Sequence, residues 1–206
     1  MAPAMGPPAH AKGLAICRGP EGAASHDPRA LAGMTPTQEL FNAASMVVPT
    51  LICTHVWFTM VELGGQGPRT ALILVGIMLH LPFSVAYHLL LARRSLRDAV
   101  ANTPRKLDQS FIHVMSILAT WALSPSTSYA VLSTTMNVYF VARLWSKRNT
   151  LTERMCNIGL GTLLYGLAAV MGGYYIDFAL GALWFVSGAV AMDVGFGGWG
   201  HSIMHL

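Results

Sequence analysis

Charge is what this sequence has least of. Asp, Glu, Lys and Arg make up 11% of its 206 residues, against about a quarter in an average soluble domain. That scarcity excludes an ordinary soluble surface, and 53% hydrophobic residues with a mean hydropathy of +0.49 describe a membrane-embedded chain. Cysteine is nearly absent too. Cys17, Cys53 and Cys156 have no CxxC spacing, which argues against a disulfide framework and a thiolate metal site and leaves them as small apolar fillers. Residues 1–36 lack any apolar run or helical period, and their Ala, Gly and Pro content reads as a disordered tail. Without a continuous apolar core of about 7–15 residues the tail is no secretory signal, and organelle targeting is the lesser of the two remaining readings. Basic residues outnumber acidic ones, 13 to 9. They fall in short connections between apolar runs, which excludes a nucleic-acid surface and suits topology determinants and anionic lipid headgroups.

What is there is a series of apolar segments. They run from about Phe41 to Val61, Thr70 to Ala92, Asp108 to Leu123, Thr127 to Trp145, Met155 to Met171 and Tyr174 to Val194. Each is near the roughly 20 residues needed to cross a bilayer. The expected architecture is therefore all-α, a polytopic membrane helical bundle with the tail at 1–36 and the helical domain at 37–206. Arg93, Arg94, Arg97, Arg105 and Lys106 mark one basic loop; Lys147, Arg148 and Arg154 mark another. Both join an even span to the next odd one, so they share a face, and the positive-inside rule puts them and the N-terminus in the cytosol.

Chemistry concentrates in the stretch from Leu81 to Met115 and at the C-terminal HSIMHL. Ser84 and His88 stand at i, i+4, as do His201 and His205, so a helix places each pair on one face. Asp108 opens the third span, where a carboxylate needs a partner. The six-span topology brings Ser84, His88, Asp108 and His201 to one membrane depth. Three neutral imidazoles, His88, His201 and His205, match a catalytic zinc that keeps one position for water and lowers its pKa toward about 7. Asp108 is then placed to accept that water's proton, and Ser84 to donate to the water or to an oxyanion.

Plainer readings stand beside these. HxxxH can be two interfacial histidines, Ser84 can bond a backbone carbonyl, and Asp108 can be an N-cap beside Thr103 and Pro104. His55, His80 and His113 raise haem ligation but read as interhelical hydrogen-bonding residues. Gly159, Gly161, Gly166, Gly181 and Gly188 read as small residues that admit close helix packing. Asp177 and Asp193 are expected at opposite interfaces.

The order FSVAYHLLLARR, RKLDQSFIHV, GWGHSIMHL resembles the hemolysin III, adiponectin/progestin receptor and alkaline ceramidase superfamily, and within it the hemolysin III branch. The resemblance runs from roughly Phe41 to the end. It implies seven membrane helices and zinc on His88, His201 and His205, with Ser84 and Asp108 in the water-binding shell. It also implies a lipid substrate, an amide such as ceramide or an ester, cleaved by metal-bound hydroxide in the cytosolic leaflet. A receptor with a structural zinc and a lytic membrane protein are the alternatives it leaves open. Only Leu206 follows His205, so the expectation is six transmembrane helices plus the stub of a seventh.

Overall fold

Start signals written in the sequence set where the helices begin. The computed structural model describes residues 34–62, 67–93, 103–146 and 150–193. Among them there are six α-helices and no strand: α1 (Pro36–Glu62), α2 (Pro68–Ala92), α3 (Thr103–Leu123), α4 (Thr127–Ser146), α5 (Leu151–Met171) and α6 (Tyr175–Asp193). Thr35 and Gln38 cap α1 reciprocally. The Thr35 N–H donates to Gln38 Oε1 at 2.7 Å and the Gln38 N–H to Thr35 Oγ1 at 3.3 Å; with Pro36 opening the helix this is a complete capping box. Thr150 and Glu153 repeat the device at α5. That helix ends at Gly172, and Gly173 follows at φ 91°, a left-handed conformation that costs glycine nothing.

Three starts lie upstream of the expected ones: the caps move α1 from Phe41 to Pro36 and α5 from Met155 to Leu151, and α3 begins at Thr103, with Pro104 next, in place of Asp108. Glu39 thereby joins α1. Asp108 lies inside α3 and is not its N-cap. Arg105, Lys106 and Arg154, expected in basic loops, are helical, and Arg105 and Arg154 are buried. The other start and end points agree with the sequence within a residue or two, apart from those that fall on the undescribed stretches. The tail before residue 34 and the segment holding His201 and His205 lie outside the described residues.

α3 is the centre of the bundle. It packs against α2, α4 and α5, while α1 lies on α2 and α6 on α5. Gly76 brings α2 and α3 together, since a Cβ there would stand 3.2 Å from the Met115 Cα. Of the glycines expected to admit close packing, Gly161 sits against Asn137 and His113 and Gly166 against the Phe178 ring, whereas Gly159 and Gly181 face open space. The surroundings of Gly188 lie outside the described residues. Pro82 sits within α2; without an N–H it leaves the Met78 carbonyl without its helical donor.

The distribution of polarity is inverted. Among the described residues, Asn42, His80, Ser84, His88, His113, Thr120, Ser133 and Asn137 are buried, while Leu51, Ile52, Phe58, Leu132, Ile176 and Leu183 are more than half exposed. A soluble domain arranges these the other way round. Three segments are long and apolar enough to cross a membrane: Pro36–Thr59, Arg69–Ala92 and Thr152–Met171. The other expected spans coincide with α3, α4 and α6. α3 carries Arg105, Asp108, Gln109, His113, Ser116 and Thr120 on its buried face, a polar stripe that lowers its hydropathy. Cys53 and Cys156 are exposed, so they face outward and fill no core; Cys17 lies outside the described residues.

Candidate functional site

Four-residue spacing along α2 lays His80, Ser84 and His88 in one row, one helical turn apart. All three are buried, Ser84 completely. Each histidine meets a carboxylate from a different helix. His88 Nδ1 hydrogen-bonds with Glu39 Oε2 of α1 at 2.7 Å, and His80 Nε2 with Asp108 Oδ1 of α3 at 3.0 Å. Both carboxylates are themselves buried, where an unpaired charge is costly. Asn42, one turn beyond Glu39, donates to the same Oε2 at the longer distance of 3.5 Å.

Ser84 lies between the two pairs. Its hydroxyl neighbours the Asp108 carboxylate but makes no hydrogen bond of standard geometry. Arg105, a turn before Asp108 on α3, donates to the Tyr87 hydroxyl at 3.0 Å. The Tyr87 ring lies 5.0 Å from the His88 ring, centroid to centroid. Capping explains why Glu39 arrives here: the box at Thr35 and Gln38 starts α1 early enough to place its first turn beside the last turns of α2. The carboxylate also sits at the positive end of the α1 dipole.

A second buried polar cluster occupies the α3–α4–α5 interface. His113 Nδ1 donates to Asn137 Oδ1 at 2.8 Å, Asn137 Nδ2 donates to the Ser133 carbonyl at 2.9 Å, and the Ser133 and Thr120 hydroxyls are 3.0 Å apart. His80 and His113 thus both hydrogen-bond between helices, as expected; His55 is exposed on α1. The cavity beside His113, lined by Gln109, Arg154 and Asn157, holds only about 10 Å³, room for nothing larger than water. A larger cavity of about 420 Å³ borders Arg69, Thr70, Leu123 and Tyr174. It lies nearly the full length of α2 from His88 and takes no part in this constellation.

The sequence-derived set is therefore reached in part. Ser84 and His88 stand one turn apart on α2, and Asp108 of α3 lies beside them. His201 and His205 lie outside the described residues, and among those described no three His, Cys, Asp or Glu side chains are grouped to hold a metal ion. Within the described part, the donor chemistry fits a single ligand: one imidazole whose Nδ1 is fixed by a carboxylate, the usual arrangement behind a metal-bound histidine. Two participants were missed by the sequence reading. Glu39 falls in the helical domain but before the first expected span, which begins at about Phe41, although TPTQE carries a capping box. His80 was recognised as a hydrogen-bonding residue, but its carboxylate partner was not. No family model, no curated protein and no solved structure matches this chain.

Proposed function

We propose that this chain is a multi-pass integral membrane protein resembling the hemolysin III, adiponectin/progestin receptor and alkaline ceramidase superfamily, and that it is a zinc-dependent hydrolase of a lipid amide or ester. The observation that carries the reading is the burial of four ionisable side chains from three helices, Glu39, His80, His88 and Asp108, around Ser84. Ionisable groups inside membrane helices are costly and mark functional sites. On this reading α1 to α6 each cross the bilayer, and Arg93, Arg94, Arg97, Lys147 and Arg148 hold their connections in the cytosol. The site then opens to the cytosolic leaflet, with His201 and His205 on the same side.

Zinc held by His88, His201 and His205 supplies a water nucleophile active near neutral pH. The protein's own groups do the rest. Asp108, oriented by His80, accepts the proton of the attacking water and returns it to the departing amine nitrogen or alcohol oxygen. Ser84 donates its hydroxyl to the substrate oxygen that gains negative charge. Burial excludes competing solvent and strengthens both interactions.

The test is zinc per chain on detergent-purified protein, with hydrolysis of a fluorescent lipid amide measured on the same samples, for the native chain and His88→Ala. About one zinc, lost together with turnover in the variant, supports the hydrolase. Zinc lost with no turnover in either protein points instead to a structural tie between helices. Zinc and turnover both unchanged in His88→Ala sink the reading.

A further inference from the structure

The geometry points to Glu39 as the positioning residue of this site: it fixes the tautomer and the orientation of His88, so that the metal is taken by Nε2. The inference rests on the zinc reading above and adds a residue and an atom to it.

His88 has two ring nitrogens, and a metal can take only one that carries a lone pair. The 2.7 Å contact between Nδ1 and Glu39 Oε2 decides between them. An ionised carboxylate can only accept, so the proton belongs on Nδ1 and the lone pair on Nε2. Both side chains are at least nine-tenths buried, so little water competes for either nitrogen and the contact is charge-assisted in a low dielectric. The carboxylate also raises the electron density of the ring, which makes Nε2 a better ligand.

Glu39 is itself held. Asn42 donates to the same oxygen from one turn further along α1, and the capping box at Thr35 and Gln38 fixes the turn from which Glu39 projects. A residue whose only task was to join α1 to α2 would not need a carboxylate. A neutral amide or hydroxyl would satisfy an imidazole N–H at lower desolvation cost, as Asn137 does for His113 in this same bundle. His88 has a charged partner, as His80 has in Asp108, and both part in this from His113.

The experiment uses full-length protein in detergent. Zinc affinity is measured by competition with a chromogenic chelator, and thermal unfolding is measured on the metal-free protein, for the native chain, Glu39→Gln, Glu39→Asp and His88→Ala. Glu39→Gln should weaken zinc by about 10–100-fold while the melting temperature of the metal-free protein moves little. Glu39→Asp, which keeps the charge but withdraws it by one methylene, should fall between. Equal zinc affinity in the native chain and Glu39→Gln overturns the positioning role and leaves the zinc reading standing. Absence of zinc from the native chain, or zinc unaffected by His88→Ala, overturns both. Should the Glu39 variants not fold, ¹⁵N spectra of histidine-labelled native protein decide the matter without them. A zinc-loaded His88 protonated on Nδ1 agrees with the inference, and one protonated on Nε2 overturns it.

Discussion

Two polar clusters share the interior of this bundle and solve the same problem differently. Around His113 every partner is neutral, namely Asn137, Ser133 and Thr120, and the hydrogen bonds run from one helix to the next. Around Ser84 the partners are carboxylates, Glu39 and Asp108, each paired with a histidine near the end of α2 or two turns further in. A neutral, satisfied network in an apolar surround is packing with direction: it fixes register at little electrostatic cost. Buried ionised groups cost more and stabilise less. The placement of charge, more than the number of polar residues, distinguishes a site from a seam.

The comparison breaks first at His88. If the end cluster is the site, His88→Ala should take zinc from about one per chain to near none and lower lipid-amide hydrolysis by at least ~10²-fold, whereas His113→Ala should change neither. Loss of zinc in His113→Ala would reverse the assignment of the two clusters. Next in size is Asp108→Asn, which keeps the shape of the carboxylate and removes its basicity. Turnover should drop by roughly 10²–10⁴-fold with zinc retained, read from single-turnover rates; an unchanged rate would remove Asp108 from the proton path.

The seam is probed by Gly161→Ala. A Cβ there would meet Asn137 Oδ1 at 2.7 Å and His113 Nδ1 at 2.8 Å, forcing the pair apart. About 1–3 kcal/mol of stability should be lost as buried groups go unsatisfied, with zinc content unchanged, measured by thermal unfolding in detergent. The smallest effect is expected at the exposed Arg143–Glu153 pair, 3.1 Å between α4 and α5. Glu153→Gln keeps the cap on Thr150 and should cost no more than about 0.5 kcal/mol after solvent screening. A loss above 1 kcal/mol would mean this surface contact does more than join two helix ends.

Sequence made the all-helical architecture legible because long apolar segments separated by Gly, Pro and basic residues have few alternatives. It also made Ser84, His88 and Asp108 legible as candidates, since Ser84 and His88 stand one turn apart on a helix and Asp108 is an isolated carboxylate in an apolar stretch. It hid the partners. Nothing local links Glu39 to His88 or His80 to Asp108; those pairs exist because α1 and α3 flank α2, and helix packing is decided by the whole bundle. One miss was avoidable. Thr35, Pro36 and Gln38 carry a start signal, and following it would have placed Glu39 in the first turn of α1. Arg105, Lys106 and Arg154 misled differently. Positive charge was taken to mean connection, but Arg105 is used inside, on the Tyr87 hydroxyl, and Lys106 lies 5.5 Å from the centroid of the Trp145 ring.

Pro82 gives α2 a mechanical character of its own. The helix is two rods with a soft joint, because the missing hydrogen bond leaves bending resistance lowest at that turn. The part before the joint carries Gly76 against Met115 of α3; the part after it carries Phe83 stacked on Phe111 of α3, Tyr87 under Arg105 of α3, and His88 on Glu39 of α1. Both halves of α2 are therefore anchored on α3, so the missing hydrogen bond at Met78 is spanned by side-chain contacts on either side of it. The weak point in the backbone that carries the constellation is splinted from outside, by the side chains of a neighbouring helix.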